Sequence, residues 1–181
     1  LRKAGTVVVG LDTVFAERER NPARQVRRRL AEHADLRIPD VLTEQLDRVA
    51  EAIRGERILA EALERHETVT GYLLGKTGTM RGALGPPLAT TGLPANLDRT
   101  KLRPTREYLG NLASLQEAAS SGGFFTIFPD SDGILRRYHL ILGHEGRVYP
   151  SLALEMARLY LLAESVGVAT APVGGRPAVS H

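Results

Sequence analysis

The sequence predicts an α/β domain, a mixed β-sheet with flanking helices in a single unit. Three observations lead there. Thr6–Leu11 and Thr68–Leu74 are short apolar, β-branched runs of the kind that form buried strands. Between them, apolar residues recur three and four apart among charged ones, which is the spacing of an amphipathic helix. The second half then carries a strand, turn and strand pattern followed by one more helix. Early alternation of strands and helices with a late hairpin gives a sheet of mixed direction covered by helices.

The elements follow in order. The first strand ends at Asp12, which places a carboxylate at its C-terminal edge. A helical pattern begins at Asn21-Pro22 and breaks around Ile38-Pro39-Asp40. Leu46, Val49, Ala50 and Ile53 line the next helix, with Thr43 or Asp40 as its N-cap and acidic residues in its first turn. Gly55 interrupts it, and Ile58, Leu59, Ala62 and Leu63 continue an apolar face to about Arg65. After the second strand, Gly75 to Lys101 is rich in Gly, Pro and Thr and is expected to be mostly loop. Leu109 to Ala119 has a weak helical pattern.

Gly122 to Phe128 reads as a strand, Pro129-Asp130-Ser131-Asp132-Gly133 as a turn, and Ile134 to Leu142 as the returning strand of a hairpin. His144-Glu145-Gly146-Arg147 is a further turn. Pro150 is expected at the first position of a helix that presents Leu152, Met156 and Leu159 on one face and runs to about Ala163. Residues 166–181 are expected to be linker or tail, leaving 1–165 as the domain. There is no internal repeat.

A chain of 181 residues fits one domain, and that length buries a core without disulfides or metal as staples. It is 43% hydrophobic and 25% charged, the composition of an ordinary globular protein. No apolar run reaches the ~20 residues of a transmembrane helix, and no signal peptide precedes the first strand. The first residue is Leu, so the sequence reads as a piece of a longer chain. With no cysteine, thiol catalysis, disulfides and Cys-based zinc sites are excluded. Net charge is +3, and although seven of the 24 basic residues lie between Arg18 and Arg37, Glu17, Glu19, Glu32 and Asp35 are mixed among them. Mixed signs mark a solvated helix face, and with only 5% aromatic residues no nucleic-acid partner is expected.

Enzyme signatures fail one after another. Gly75-Lys76-Thr77 resembles the end of a phosphate-binding loop, but position 70 is Thr where that loop needs Gly, and glycines and prolines follow in place of a helix. Gly75 through Thr79 also echoes the phosphorylated loop of cation-pumping ATPases, with glycine where the nucleophilic Asp belongs. Asp130-Ser131-Asp132-Gly133 starts like a calcium loop, yet the twelfth position is Ile141 and not a glutamate, so a local turn explains it more simply. His33, His66, His139, His144 and His181 show no metal spacing, and Ser120-Ser121-Gly122 is not a nucleophile elbow. No catalytic residue, metal or cofactor is expected.

Three segments together resemble the second class of CHASE domains, extracellular sensory modules of bacterial receptors. They are Val8 through Glu17, Gly123-Phe124-Phe125 through Pro129-Asp130-Ser131-Asp132-Gly133-Ile134-Leu135-Arg136-Arg137, and Tyr149-Pro150-Ser151-Leu152-Ala153-Leu154-Glu155. Ile58 through Leu63 is similar to the family's helix before the second strand, although Arg18 to Gly55 is longer than its usual link. The resemblance spans about Val7 to Leu162. It implies a non-enzymatic, extracytoplasmic input domain with transmembrane helices and a cytoplasmic effector in the same polypeptide. That effector would be a nucleotide cyclase, a histidine kinase or a serine/threonine kinase. The signal is an unknown small molecule or environmental cue. Asp12, Arg103, Arg106, Asp130, Asp132, Arg136 and Arg137 are the expected ligand-binding residues, because arginine forks near strand ends suit a carboxylate or phosphate. For each of them the plainer reading is a capped strand end or a local ion pair. An interaction module that dimerises through the Thr43 to Arg65 or Tyr149 to Ala163 helix stays open as the alternative.

Overall fold

The computed structural model describes residues 5–32, 39–75, 77–92, 102–173 and 176–179, the last stretch from residue 170 as backbone path alone. His33, Ile38, Lys76, Lys101 and His181, all singled out in the sequence, lie outside the described residues. The elements run β1 (Val8–Leu11), α1 (Pro22–Glu32), α2 (Asp40–Ala52), α3 (Gly55–Glu64), β2 (Glu67–Leu74), β3 (Met80–Arg81), β4 (Thr90–Thr91), β5 (Pro104–Thr105) and β6 (Tyr108–Leu109). They continue with α4 (Ala113–Ala118), β7 (Ser121–Phe124), β8 (Ile141–His144), β9 (Arg147–Pro150), α5 (Leu152–Tyr160), β10 (Val166–Gly167), β11 (Thr170–Val173) and β12 (Arg176–Val179). This is the predicted mixed α/β architecture.

The longest strand, β2, is the centre. β1 pairs with it in parallel from Val8↔Glu67 to Leu11↔Thr70, and β7 pairs in parallel from Val69↔Ser121 to Tyr72↔Phe124. β6 joins the last two residues of β2 antiparallel, and β3 adds to β6 in parallel. A three-stranded sheet, β5-β8-β9, lies beside it, joined through the bridge Phe124↔Ser151.

Side chains alternate across a strand, so β2 presents two faces. On one, Ser121 Oγ donates to Glu155 Oε1 of α5 at 2.6 Å, and Gly10 and Gly123 lie against Met156 and Leu152 of the same helix. On the other, Thr70 Oγ1 donates to Gln116 Oε1 of α4 and Thr68 Oγ1 to the Leu63 carbonyl of α3. Helices thus cover both faces, which is why β2 is buried along nearly its whole length. One apolar core joins Tyr72, Leu74, Phe124, Leu142 and Tyr149, and a second joins Leu88, Leu102 and Val148.

Several expectations need correction. The hairpin between Gly122–Phe128 and Ile134–Leu142 does not form: β7 stops at Phe124, its partner is β2, and the chain is irregular until β8. The hairpin lies one turn later, between β8 and β9, where Glu145 (φ 47°) and Gly146 (φ 72°) both adopt the left-handed conformation that a two-residue turn of this hand requires. Pro150 closes β9, and Ser151 is the N-cap of α5, its Oγ accepting from the Leu154 amide at 3.2 Å. The helix ends at Tyr160, short of Ala163. Pro39, not Asp40 or Thr43, caps α2, and no side chain closes that end. Beyond residue 165, β10 pairs in parallel with β4, and β11 pairs with β12.

The Tyr72 hydroxyl is buried with no hydrogen-bond partner among the described residues. Burial holds this phenol well above its ordinary pKa, with the Tyr149 and Glu155 charges adding to the effect, so it is neutral. Removing an unsatisfied polar atom relieves a desolvation cost. Tyr72→Phe is therefore expected to keep or raise stability, by up to about 1 kcal/mol. A fall in the urea midpoint would show that the hydroxyl is bonded in solution.

Candidate functional site

The irregular stretch between β7 and β8 is held by its own ions. Gly133 (φ 80°) closes the expected turn, with its amide donating to the Asp130 carbonyl at 2.9 Å and the Asp130 amide to Ile134 O at 3.0 Å. Asp132 Oδ1 accepts from the Ile134 amide at 3.1 Å, an Asx-type turn. Arg136 then grips both acids. Its Nη2 lies 2.8 Å from Asp132 Oδ2, and its Nη1 lies 3.0 Å from Asp132 Oδ1 and 3.1 Å from Asp130 Oδ2. Arg137 approaches Asp130 at 3.8 Å. Four of the seven candidate residues are thus brought together as partners of one another.

The guanidinium beside Asp132 holds its carboxyl below the usual range, and the two carboxylates raise Arg136 further. Arg136→Ala is expected to move the Asp132 pKa upward, part of the way toward that of an ordinary exposed aspartate because the Ile134 amide still bonds the carboxylate, read from its side-chain carbon shift across an acid titration. An unmoved midpoint would show that the Ile134 amide alone sets it.

The other two arginines stand elsewhere. Residues 103–107, residues 126–129 and Gly75 line a groove of about 720 Å³. Its floor is fixed by the chain beneath it. Pro104 and Thr105 form β5 against Gly143 and His144 of β8. Thr105 Oγ1 donates to the Gly143 carbonyl at 3.1 Å, and Nδ1 of buried His144 donates to the Thr105 carbonyl at 2.9 Å. Tyr108 and Tyr149 meet the His144 ring edge to face. Glu107 ties the far end: its carbonyl accepts from the Gly75 amide, and its Oε2 accepts from the Thr77 and Gly78 amides at 2.8 Å each.

On this floor the guanidinium carbon of Arg103 lies over the Phe128 ring, 3.9 Å from the centroid. A cation over a ring face is held there by the ring's quadrupole, and its N–H donors remain able to bond at the edge. Neither Arg103 nor Arg106 meets a carboxylate among the described residues. The arginines along α1–α3 are mostly spent, Arg27 on Asp47, Arg48 on Glu44, Arg54 on Glu51 and Arg57 on Glu61. Asp12 stands exposed at the end of β1 and is not part of the groove. No cluster of three or more His, Asp or Glu side chains able to hold a metal occurs among the described residues.

Phe128, Thr126 and Glu107 were not singled out in the sequence. Phe128 precedes Pro129, and its meeting with Arg103, 25 positions earlier, has no local pattern that could announce it. For Glu107, adjacency to Arg106 was the sole available sign.

No curated protein and no solved structure gives a significant match to the chain. A family model described as the CHASE2 domain matches residues 1–178, nearly the whole sequence. The chain belongs to the CHASE2 family, the extracellular sensory domains of receptors.

Proposed function

We propose that this domain is the extracytoplasmic input module of a bacterial transmembrane receptor. It takes up a small ligand in the groove of Arg103 and Arg106 and passes the signal to a cytoplasmic cyclase or kinase in the same polypeptide. One observation carries the reading: two arginines that meet no carboxylate among the described residues line a groove whose backbone is tied to both sheets. Glu107 links it to the C-terminal end of β2 and β5 links it to β8, and the β8–β9 hairpin leads directly into α5. A ligand that draws the 103–107 segment inward therefore bears on the central strand and on the helix that covers it. A coupling of only ~1–3 kcal/mol suffices to shift a two-state receptor. Asp130, Asp132, Arg136 and Arg137 shape the neighbouring stretch between β7 and β8 in this scheme, and Asp12, outside the groove, has no part in it.

No helix among the described residues is long and apolar enough to cross a membrane, so the spans would lie outside this stretch. The coding DNA on either side tests that. Apolar segments of ~20 residues upstream and downstream support the receptor reading, and flanks without any span refute it.

A second reading is favoured by the helices. Val41, Val49, Ile53 and Ile58 on α2, its C-cap and α3, and Tyr160, Leu161 and Leu162 at the end of α5, are exposed. A homodimer through one of these surfaces would hide them. Sedimentation that shows a dimer unaffected by small molecules would favour a purely associative module.

A further inference from the structure

We infer that the groove takes a small organic monocarboxylate with an apolar body; this rests on the proposed sensory role of that groove. Charge is the first argument. Among its lining residues two arginines stand against one glutamate, leaving one unit of positive charge, which balances a monoanion and leaves a phosphate dianion half neutralised. Geometry is the second. Arg103 offers a guanidinium held over the Phe128 ring, and a guanidinium edge matches the two oxygens of a carboxylate in a planar fork. Arg106 has no ion pair among the described residues and can meet the same group from the same strand segment.

The walls supply the third argument. Pro104, Ile127, Phe128 and Pro129 present mostly apolar surface, and Ile127 is 55% exposed without a ligand over it. A ligand that is charged throughout would gain nothing from them, whereas an apolar body covers them. Glu107 does not repel the carboxylate directly, since its Oε2 is turned onto the Thr77 and Gly78 amides. The volume, about 720 Å³, lies in the range of small-molecule sites and leaves room for the apolar body.

The test is titration of the chain with benzoate, hexanoate, acetate, benzamide and inorganic phosphate, followed by amide NMR shifts. Benzoate and hexanoate are expected to bind saturably, shifting the amides of residues 103–107 and 126–128. Acetate should bind at least tenfold more weakly and benzamide and phosphate should fail to saturate at about 10 mM. Arg106→Gln should weaken benzoate at least tenfold. Arg103→Lys, which keeps the charge and loses the fork, should weaken it comparably. Phosphate binding tighter than benzoate, benzamide binding as well as benzoate, benzoate binding unchanged in both variants, or no carboxylate binding at about 10 mM would each overturn the inference. If none binds while receptor output still depends on the domain, the ligand class falls and the sensory role stands. If benzoate binds at the groove and output ignores the domain, the sensory role falls instead.

Discussion

Replacing Asn111 with Leu, similar in size and unable to hydrogen-bond, is expected to lower the unfolding free energy by about 3 kcal/mol. Asn111 is wholly buried. Its Oδ1 accepts from the Phe15 amide at 2.9 Å, fastening the chain that leaves β1. Its Nδ2 donates to the Gly71 carbonyl in β2 at 3.0 Å and to Gln116 Oε1 of α4 at 3.3 Å. Its backbone exchanges two bonds with Ala83. Leucine would leave the Phe15 amide and the Gly71 carbonyl without these partners, and each orphaned group costs about 1–3 kcal/mol. The measurement is urea unfolding with an unchanged denaturant slope. A loss below about 1 kcal/mol would mean that the loop after β1 swings out to water at little cost.

Gly123→Ala should be of similar size, about 3 kcal/mol or more for one methyl group. A Cβ at Gly123 would lie 2.6 Å from Leu152 Cα, 2.7 Å from Leu152 N and 2.8 Å from the Ser151 carbonyl carbon. All three are backbone atoms, so no rotamer change gives way. The first turn of α5 would have to lift from the sheet, straining the Ser151 cap and the bond from Ser121 to Glu155. Gly10→Ala is the control, since its Cβ would meet the flexible thioether of Met156 and the damage should be smaller. Equal losses at the two positions would show that α5 is free to shift.

These two residues also mark the limit of what the sequence disclosed. β1 and β2 were legible because their apolar β-branched runs are dense and local. The break at Gly55 was legible as a helix restart between α2 and α3. The charged turn at Asp130–Arg137 was legible because its partners stand four and six apart. The false hairpin arose from a sound local reading: the turn after Pro129 does form, but β7 meets β2 from 52 residues away, and local pattern cannot rank that pairing above a nearby one. Likewise Arg103 and Arg106 could be picked out as arginines near strand ends, whereas the ring beneath Arg103 and the carboxylate of Glu107 turned toward Thr77 are products of tertiary packing.

The direction of the strand pairings bears on how the chain reaches this state. β1 with β2, β2 with β7 and β4 with β10 are all parallel, and each joins residues more than fifty positions apart. Every such pair must close a long loop before any ladder bond compensates, so the entropic cost comes first. β2 is common to two of the three, so two of these loop closures converge on one strand. The chain will therefore collect slowly, on the millisecond-to-second scale of non-local topologies, with its helices present before its sheet.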